Sequence, residues 1–173
     1  MQENICLTLK KYKQKKILTE VVNSLGVDDK YVANIDLFHL TLINAYCRYR
    51  KEKKKQKHKK IQVSHKIDSC IQKYEADVVP KSLTFMKNNR YIFIVLLVKY
   101  NQQIIDRNTR LSKKFYGNKI LKFIPHITLA KIPKVDKISL PDLSRFNVKR
   151  LPKITMVGEN LYSRLNKGLN LSR

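Results

Sequence analysis

The order of hydrophobic and polar positions along the chain predicts short strands and amphipathic helices. Apolar residues that alternate with polar ones, or that run continuously for a few positions, predict strands over 5–9, 35–45, 78–86, 91–100, 122–132 and 154–157. Apolar residues spaced by three and four positions predict helices over 13–25, 61–76 and 101–116. The resulting order, β-α-β-α-β-β-α-β-β, predicts an α+β fold whose two halves have similar content.

The length of 173 residues suits one domain, and 43% hydrophobic residues provide enough apolar material for a packed core. We therefore expect a single domain over residues 1–173, with a polar tail at about 166–173. The longest apolar run is Tyr91 to Val98, far short of the roughly 20 residues that span a bilayer, and no signal peptide is visible. We expect a cytoplasmic protein that is a monomer and does not bind membranes.

The chain is strongly basic. It has 37 Lys and Arg against 13 Asp and Glu, a formal net charge of +24, which favours a polyanionic partner such as a nucleotide or RNA. The segment Arg48 to Lys60 holds nine Lys or Arg and one Glu, a net +8. Three interpretations of this basic run stay open: a solvated loop, an electrostatic funnel for an anionic substrate, and an address for nuclear entry.

Two classes of cofactor motif do not occur in the sequence. The four glycines are too far apart for a P-loop or for a dinucleotide-binding Gly-x-Gly-x-x-Gly. The three cysteines form no Cys-x-x-Cys and combine with the four histidines into no zinc-ligand pattern. We therefore expect no cofactor and no metal, and the sparse, odd number of cysteines fits a reducing compartment.

One tetrapeptide pattern occurs once in each half of the chain. His39-Leu40-Thr41-Leu42 and His126-Ile127-Thr128-Leu129 share the order His, apolar, Thr, apolar, and the two histidines are 87 positions apart. From composition, the odds that two of four histidines show this pattern are roughly 0.002. The other two histidines, His58 and His65, do not match it.

Strand geometry gives the repeated pattern a chemical meaning. Alternate residues of a strand share a face, so each His points the same way as its Thr while the apolar residues point into the core. Two such strands would surround one cleft with two imidazoles, which exchange protons near neutral pH, and two hydroxyls that can hold phosphate oxygens. The expected catalytic residues are His39, His126, Thr41 and Thr128.

These paired motifs resemble the His-x-[Ser/Thr] motifs of the two-histidine (2H) phosphoesterase superfamily, over roughly residues 5–165. That superfamily includes 2′-5′ RNA ligase-like proteins, RNA 2′,3′-cyclic phosphodiesterases and cellular and viral 2′,5′-phosphodiesterases. The resemblance implies a bilobal fold with pseudo-twofold symmetry, an antiparallel sheet in each lobe, helices outside and a metal-independent active cleft between the lobes. It also suggests substrate contacts at Glu159 and Tyr162.

Weaker candidates complete the predicted site. The chain has no tryptophan, so base stacking would fall to Tyr or Phe, and Tyr12, Tyr46 and Tyr116 are candidates; a packing role competes for each. Lys131 is a further substrate-binding candidate if the strand that carries His126 continues past Leu129.

The sequence is consistent with three functions. The first is cleavage of 2′–5′ phosphodiester bonds in 2′-5′ oligoadenylates or in cyclic dinucleotides of the 2′,3′-cGAMP type, by histidine acid–base catalysis. The second is RNA end processing at 2′,3′-cyclic phosphates, which the strong basicity favours. The third is a basic RNA-binding protein without catalysis, although no RNP1-like run, KH loop or zinc knuckle supports it.

Overall fold

The computed structural model describes residues 4–44, 71–73, 75–117 and 122–161. The basic run Arg48–Lys60, the candidates Tyr46 and Tyr162, the polar tail and most of the helix predicted over 61–76 lie outside these residues. The described part is a mixed α/β fold, as the sequence predicts. Its elements are β1 (Asn4–Leu9), α1 (Tyr12–Ser24), β2 (His39–Asn44), β3 (Glu75–Val78), β4 (Pro80–Lys87), β5 (Tyr91–Val98), α2 (Gln102–Tyr116), β6 (His126–Pro133) and β7 (Ile154–Leu161).

All seven strands belong to one antiparallel sheet in the order β3-β7-β1-β2-β6-β5-β4. Strands β3 and β4 lie at opposite edges, yet only Val79 separates them along the chain. Because consecutive Cα atoms are about 3.8 Å apart, the two edges must approach each other there, and the sheet is curled. The resemblance implied a sheet in each of two lobes, whereas the structure joins all the strands in one.

A strand–helix–strand unit occurs twice. In the first, β1 leads through α1 to β2, its antiparallel neighbour; in the second, β5 leads through α2 to β6 in the same way. The second strand of each unit begins with a histidine of the repeated motif, and these two strands are adjacent in the middle of the sheet. This topology brings together two segments that are 87 positions apart in sequence.

The core lies on one face of the sheet, beneath the helices. Leu7, Leu40 and Ile127 are cross-strand neighbours on that face, and each is fully buried. The helices cover them with the apolar sides that the sequence periodicity predicts, through Leu18, Val21 and Val22 of α1 and Ile104, Leu111 and Phe115 of α2. None of the helices within the described residues is long and apolar enough to cross a membrane.

The structure corrects two predicted elements. The helix predicted over 61–76 does not continue to its predicted end, because residues 71–73 are not helical and Glu75 begins β3. In β3 the buried Ala76 and Val78 alternate with exposed positions, which is the pattern of a strand. The strand predicted over 78–86 is divided at Val79, since β3 pairs with β7 and β4 pairs with β5.

The predicted strand 35–45 also begins later than expected. Residues Ile35–Leu37 form a short 3-10 turn, which starts where the side chain of Asn34 accepts a hydrogen bond from the backbone N–H of Asp36. An Asn side chain at this position favours a turn over a strand. The strand therefore starts at His39 itself.

Candidate active site

The two motif histidines lie on one face of the sheet, opposite the core. Leu40 pairs with Ile127 across β2 and β6, and continuing this antiparallel register by one residue puts His39 beside Thr128 and Thr41 beside His126. All four of these side chains are half-buried. In such a pair, diagonal neighbours such as His39 and His126 have Cα atoms about 7–8 Å apart, which leaves room for a phosphate group between the imidazoles.

Each imidazole is oriented by the backbone two residues before it. Nδ1 of His39 lies 2.6 Å from the carbonyl oxygen of Leu37, and Nδ1 of His126 lies 2.8 Å from that of Ile124. A carbonyl oxygen can only accept, so Nδ1 donates in both contacts and carries the proton in the neutral ring. Proton exchange is therefore left to Nε2 in both residues.

His39 favours the neutral form. Burial is the main cause that lowers its pKa below the ordinary value of 6.5, and the charge of His126 lowers it further. The contact with the Leu37 carbonyl acts in the opposite direction but does not cancel these two causes. A neutral imidazole is the form that accepts a proton.

The hydroxyls of Thr41 and Thr128 are available to a ligand. Within the residues that the structure describes, neither side chain has a hydrogen-bond partner. A hydroxyl can donate to an anionic oxygen and rotate to suit it. Two such donors beside two imidazoles form a site with the composition needed to hold a tetrahedral phosphate.

A bulge follows the threonine in each motif. In β2, Thr41 and Ile43 pair with successive residues of β1, so Leu42 is the extra residue. In β6, Thr128 and Ala130 pair with successive residues of β5, so Leu129 is the extra residue. The backbone carbonyl of each extra residue accepts a hydrogen bond from a group outside these strand pairs. Asn108 Nδ2 donates to the Leu42 oxygen at 2.6 Å, and the Ala33 N–H donates to the Leu129 oxygen at 2.8 Å. Bulges are common beside active sites because they redirect neighbouring side chains.

Strand β1 adds two side chains to the histidine face that sequence reasoning missed. Thr8 is the cross-strand partner of His39, and Cys6 is the partner of Thr41. Thr8 donates to the Val157 carbonyl at 3.3 Å, while burial raises the pKa of Cys6 to about 12, so the thiol stays protonated and is a poor nucleophile. The alternation of Cys6 and Thr8 with apolar residues is visible in the sequence, but their partner strand is not.

Lys131 lies on the histidine face because of the bulge at Leu129. In a regular strand, a residue five positions after His126 would point to the opposite face. The extra residue reverses this relation, and Lys131 pairs with Phe93 two rows beyond the pair Thr128–Val95, on the same face of the sheet. Lys131 therefore reaches the histidine face through a bulge that the sequence did not show.

Glu159, expected to contact substrate, lies on the core face instead. It pairs with Leu7, because Gly158 (φ +51°) is the extra residue of a bulge in β7 and turns the next side chain inward. Glu159 is 3% exposed as a residue, and its carboxylate binds the Arg107 guanidinium through two hydrogen bonds, from Nε and from Nη2. It also accepts from the Gln72 N–H at 3.1 Å, so Glu159 is a buried structural anion apart from the histidines.

The two described tyrosine candidates are not brought to the histidines either. Tyr12 opens α1, is 59% exposed and has the Lys16 amine 5.2 Å from its ring centroid. Tyr116 is the last residue of α2 and packs against the core, which is the alternative role that the sequence left open for it. Both belong to helices on the core side of the sheet, so we leave them out of the candidate site.

A separate cavity of about 200 Å³ opens between the end of α1 and the segment after β6, with Lys30, Tyr31 and Ser139 in its lining. Neither histidine lines this cavity, so we base the candidate site on the chemistry of the motif pair and not on the cavity.

In the described ranges, no group of three or more His, Cys, Asp and Glu side chains is arranged to hold a metal ion.

Comparison with known proteins adds no family. No protein-family model and no curated protein sequence matches the chain.

Proposed function

We propose that the protein is a two-histidine phosphodiesterase that cleaves 2′–5′ phosphodiester bonds in nucleotide second messengers, either 2′-5′ oligoadenylates or 2′,3′-cGAMP-type cyclic dinucleotides. The observation that carries the proposal is the matched placement of His39 and His126. They lie on adjacent antiparallel strands, on one face, each with Nδ1 bound to the carbonyl two residues earlier. Such a pair supplies a proton acceptor and a proton donor on either side of one phosphate.

In the proposed reaction, the 3′-hydroxyl next to a 2′–5′ linkage attacks phosphorus. The O3′–P bond forms, the bond from phosphorus to the 5′-oxygen breaks, and the products are a 2′,3′-cyclic phosphate and a free 5′-hydroxyl. Nε2 of His39 takes the proton of the attacking hydroxyl, and Nε2–H of His126 gives a proton to the departing oxygen. With a cyclic phosphate as substrate, water attacks in place of the 3′-hydroxyl.

We assign His39 as the base because of the environment of its ring. The lowered pKa of His39 keeps it neutral at pH 7, as a general base must be at the start of the reaction. His126 is accordingly assigned the role of the acid that gives a proton to the leaving oxygen. Thr41 and Thr128 donate hydrogen bonds to the non-bridging phosphate oxygens, whose negative charge increases in the transition state. Two imidazoles supply both proton transfers, so the mechanism needs no metal ion.

We also propose that the two strand–helix–strand units are pseudo-symmetric halves, as in a bilobal fold. Support comes from the equivalent details that they share around each histidine: the carbonyl contact at Nδ1, the threonine two positions on and the bulge at Leu42 or Leu129. A pseudo-twofold axis between β2 and β6 would relate one half to the other and would pass through the phosphate site.

A substrate panel tests the reaction. The wild-type protein is incubated with EDTA and with 2′-5′ oligoadenylate, 2′,3′-cGAMP, a 3′,3′ cyclic dinucleotide and RNA that ends in a 2′,3′-cyclic phosphate. We expect turnover of the compounds that contain a 2′–5′ bond, with a cyclic phosphate product. Turnover of the RNA end alone would favour RNA end processing, and binding without turnover of any compound would favour a non-catalytic RNA-binding protein.

Substitution of the histidines tests the assignment of residues. His39→Ala and His126→Ala should each lower kcat by about 10²–10⁴-fold, since each removes one proton transfer. His65→Ala is the matched control, because His65 is a histidine outside the repeated pattern. A double variant that cleaves as fast as the wild type would overturn the proposal.

A further inference from the structure

The histidine face continues beyond the catalytic residues along β5 and β6. After the pair Thr128–Val95, the next pair on this face is Lys131–Phe93, followed by Pro133–Tyr91. Phe93 is two residues from Val95, about 7 Å along the strand. Because Val95 is the cross-strand partner of Thr128, which would bind the reacting phosphate, this row lies about one nucleotide's length along the strand from that threonine.

The side chains of this row form an aromatic and cationic ledge, which we define as Tyr91, Phe93 and Lys131. The rings of Tyr91 and Phe93 are 6.1 Å apart between centroids and tilted by 53°. The Lys131 amine lies 3.9 Å from the Tyr91 centroid, a cation–π contact that restrains a long, exposed side chain. Both rings are half-buried and are not among the hydrophobic residues packed against the described core.

We propose that this ledge is a binding subsite for the nucleotide that adjoins the two joined by the reacting phosphate. Phe93 stacks on its base, Lys131 pairs with its phosphate, and Tyr91 is a positioning residue that holds Lys131 over the sheet. The proposal rests on the proposed function and extends it, because a ledge beyond the catalytic row favours a linear oligonucleotide of three or more nucleotides over a cyclic dinucleotide.

The chemistry of the ledge matches a nucleotide. An aromatic ring stacks on any base, and a lysine amine pairs with a phosphate as a point charge. The nearest described partner of the Lys131 amine is the Tyr91 ring, with no carboxylate paired to it in the described residues. Its positive charge therefore remains available to an anion.

The test measures binding with turnover removed. In a His39→Ala/His126→Ala background, affinities are measured for 2′–5′-linked adenosine dinucleotide and trinucleotide. Stacking on one aromatic side chain is worth about 10- to 100-fold in affinity, so Phe93→Ala should weaken trinucleotide binding by that factor and leave the dinucleotide nearly unchanged. Phe93→Leu keeps an apolar side chain without a ring and should show the same selective loss if the protein folds normally.

Salt dependence separates the role of Lys131 from a structural one. Loss of one phosphate contact should reduce the slope of log affinity against log salt by about 0.7 for a single strand. We expect this change for the trinucleotide in Lys131→Ala, and a smaller one in Tyr91→Leu, where the amine is no longer held. Lys81→Ala and Tyr100→Ala are controls, since both side chains are exposed and neither belongs to the ledge.

Equal losses for dinucleotide and trinucleotide, or no loss for either, would overturn the subsite. Because the readout is binding to a variant without the histidines, it does not depend on catalysis. Failure of the wild type to cleave any 2′–5′ bond, with the trinucleotide preference intact and sensitive to Phe93, would overturn the proposed reaction and leave the subsite standing.

Discussion

Leu42 and Leu129 occupy equivalent places in two strands, each as the extra residue of a bulge three positions after a histidine. Each bulge carbonyl is bound by a donor from outside the strand pairs, Asn108 for Leu42 and the Ala33 N–H for Leu129. A bulge held in this way fixes the twist of the strand next to the catalytic residues. The repeated tetrapeptide therefore corresponds to a repeated backbone structure as well as to a repeated pair of side chains.

The Asn108 side chain should accordingly matter for both stability and activity. Asn108→Ala leaves the Leu42 carbonyl without its buried donor, which costs about 1–3 kcal/mol of unfolding free energy. The loosened bulge adjoins Thr41, so we also expect a lower kcat on a 2′–5′ substrate. Chemical denaturation and steady-state kinetics measure the two effects.

Ser112→Ala is the matched control on the same helix. Ser112 is buried one turn after Asn108, but its hydroxyl has no hydrogen-bond partner among the described residues, so its removal should be neutral or slightly stabilising. If Asn108→Ala were no more destabilising than Ser112→Ala, the bulge would not depend on this contact.

The sequence predicts most of the elements because their signals are local. The apolar periodicity of α1 and α2 and the repeated motif can be counted along the chain, and the structure places His39 and His126 on neighbouring strands as the motif requires. What the sequence does not show is which face a residue takes after a bulge. One extra residue brings Lys131 to the histidine face, and another turns Glu159 away from it.

Strand partners are a second property that local patterns leave open. Thr8 adjoins His39 only because β1 pairs with β2, and the strand predicted over 78–86 is divided only because its two parts pair at opposite edges of the sheet. Pairing depends on contacts between distant segments, which hydrophobic periodicity does not encode. The same reason explains why one continuous sheet replaces the two that were expected.

The electrostatic coupling of the two histidines predicts a change in titration. Replacing His126 by Ala removes the charge that lowers the pKa of His39, so that pKa should rise. It should remain below the ordinary value of 6.5, because burial is the larger cause. The imidazole proton signals of His39, followed by NMR against pH in the wild type and in the variant, measure the shift directly. An unchanged His39 titration would mean that the two rings do not interact.

His39 should also make stability depend on pH. Its pKa is lower in the folded than in the unfolded state, so at acidic pH the unfolded chain binds a proton that the folded protein resists. The unfolding free energy is therefore unaffected by His39 above about pH 6.5 and falls as the pH drops from there towards the folded pKa. Each unit of pKa difference contributes about 1.4 kcal/mol.

Urea unfolding at pH 7.5 and pH 5 tests this dependence. His39→Asn is the matched variant, because an amide N–H can still donate to the Leu37 carbonyl but does not titrate. The wild type should lose more stability than His39→Asn between the two pH values. Equal losses would contradict the half-buried, neutral state of His39.

The Arg107–Glu159 pair should contribute to stability without contributing to chemistry. The Glu159 side chain has no exposure and that of Arg107 has 11%, so removing either partner breaks a buried ion pair. Arg107→Ala or Glu159→Ala should cost about 3–5 kcal/mol of unfolding free energy, and the double variant should cost less than the sum of the two. Glu159→Gln, which keeps an acceptor for the Gln72 N–H, should lower the unfolding free energy less than Glu159→Ala does.

Because Glu159 lies on the core face, kcat per folded molecule should stay within a few-fold of the wild type in all of these Arg107 and Glu159 variants. A loss as large as that of His39→Ala in a fully folded Glu159→Gln protein would instead place this carboxylate in the catalytic machinery.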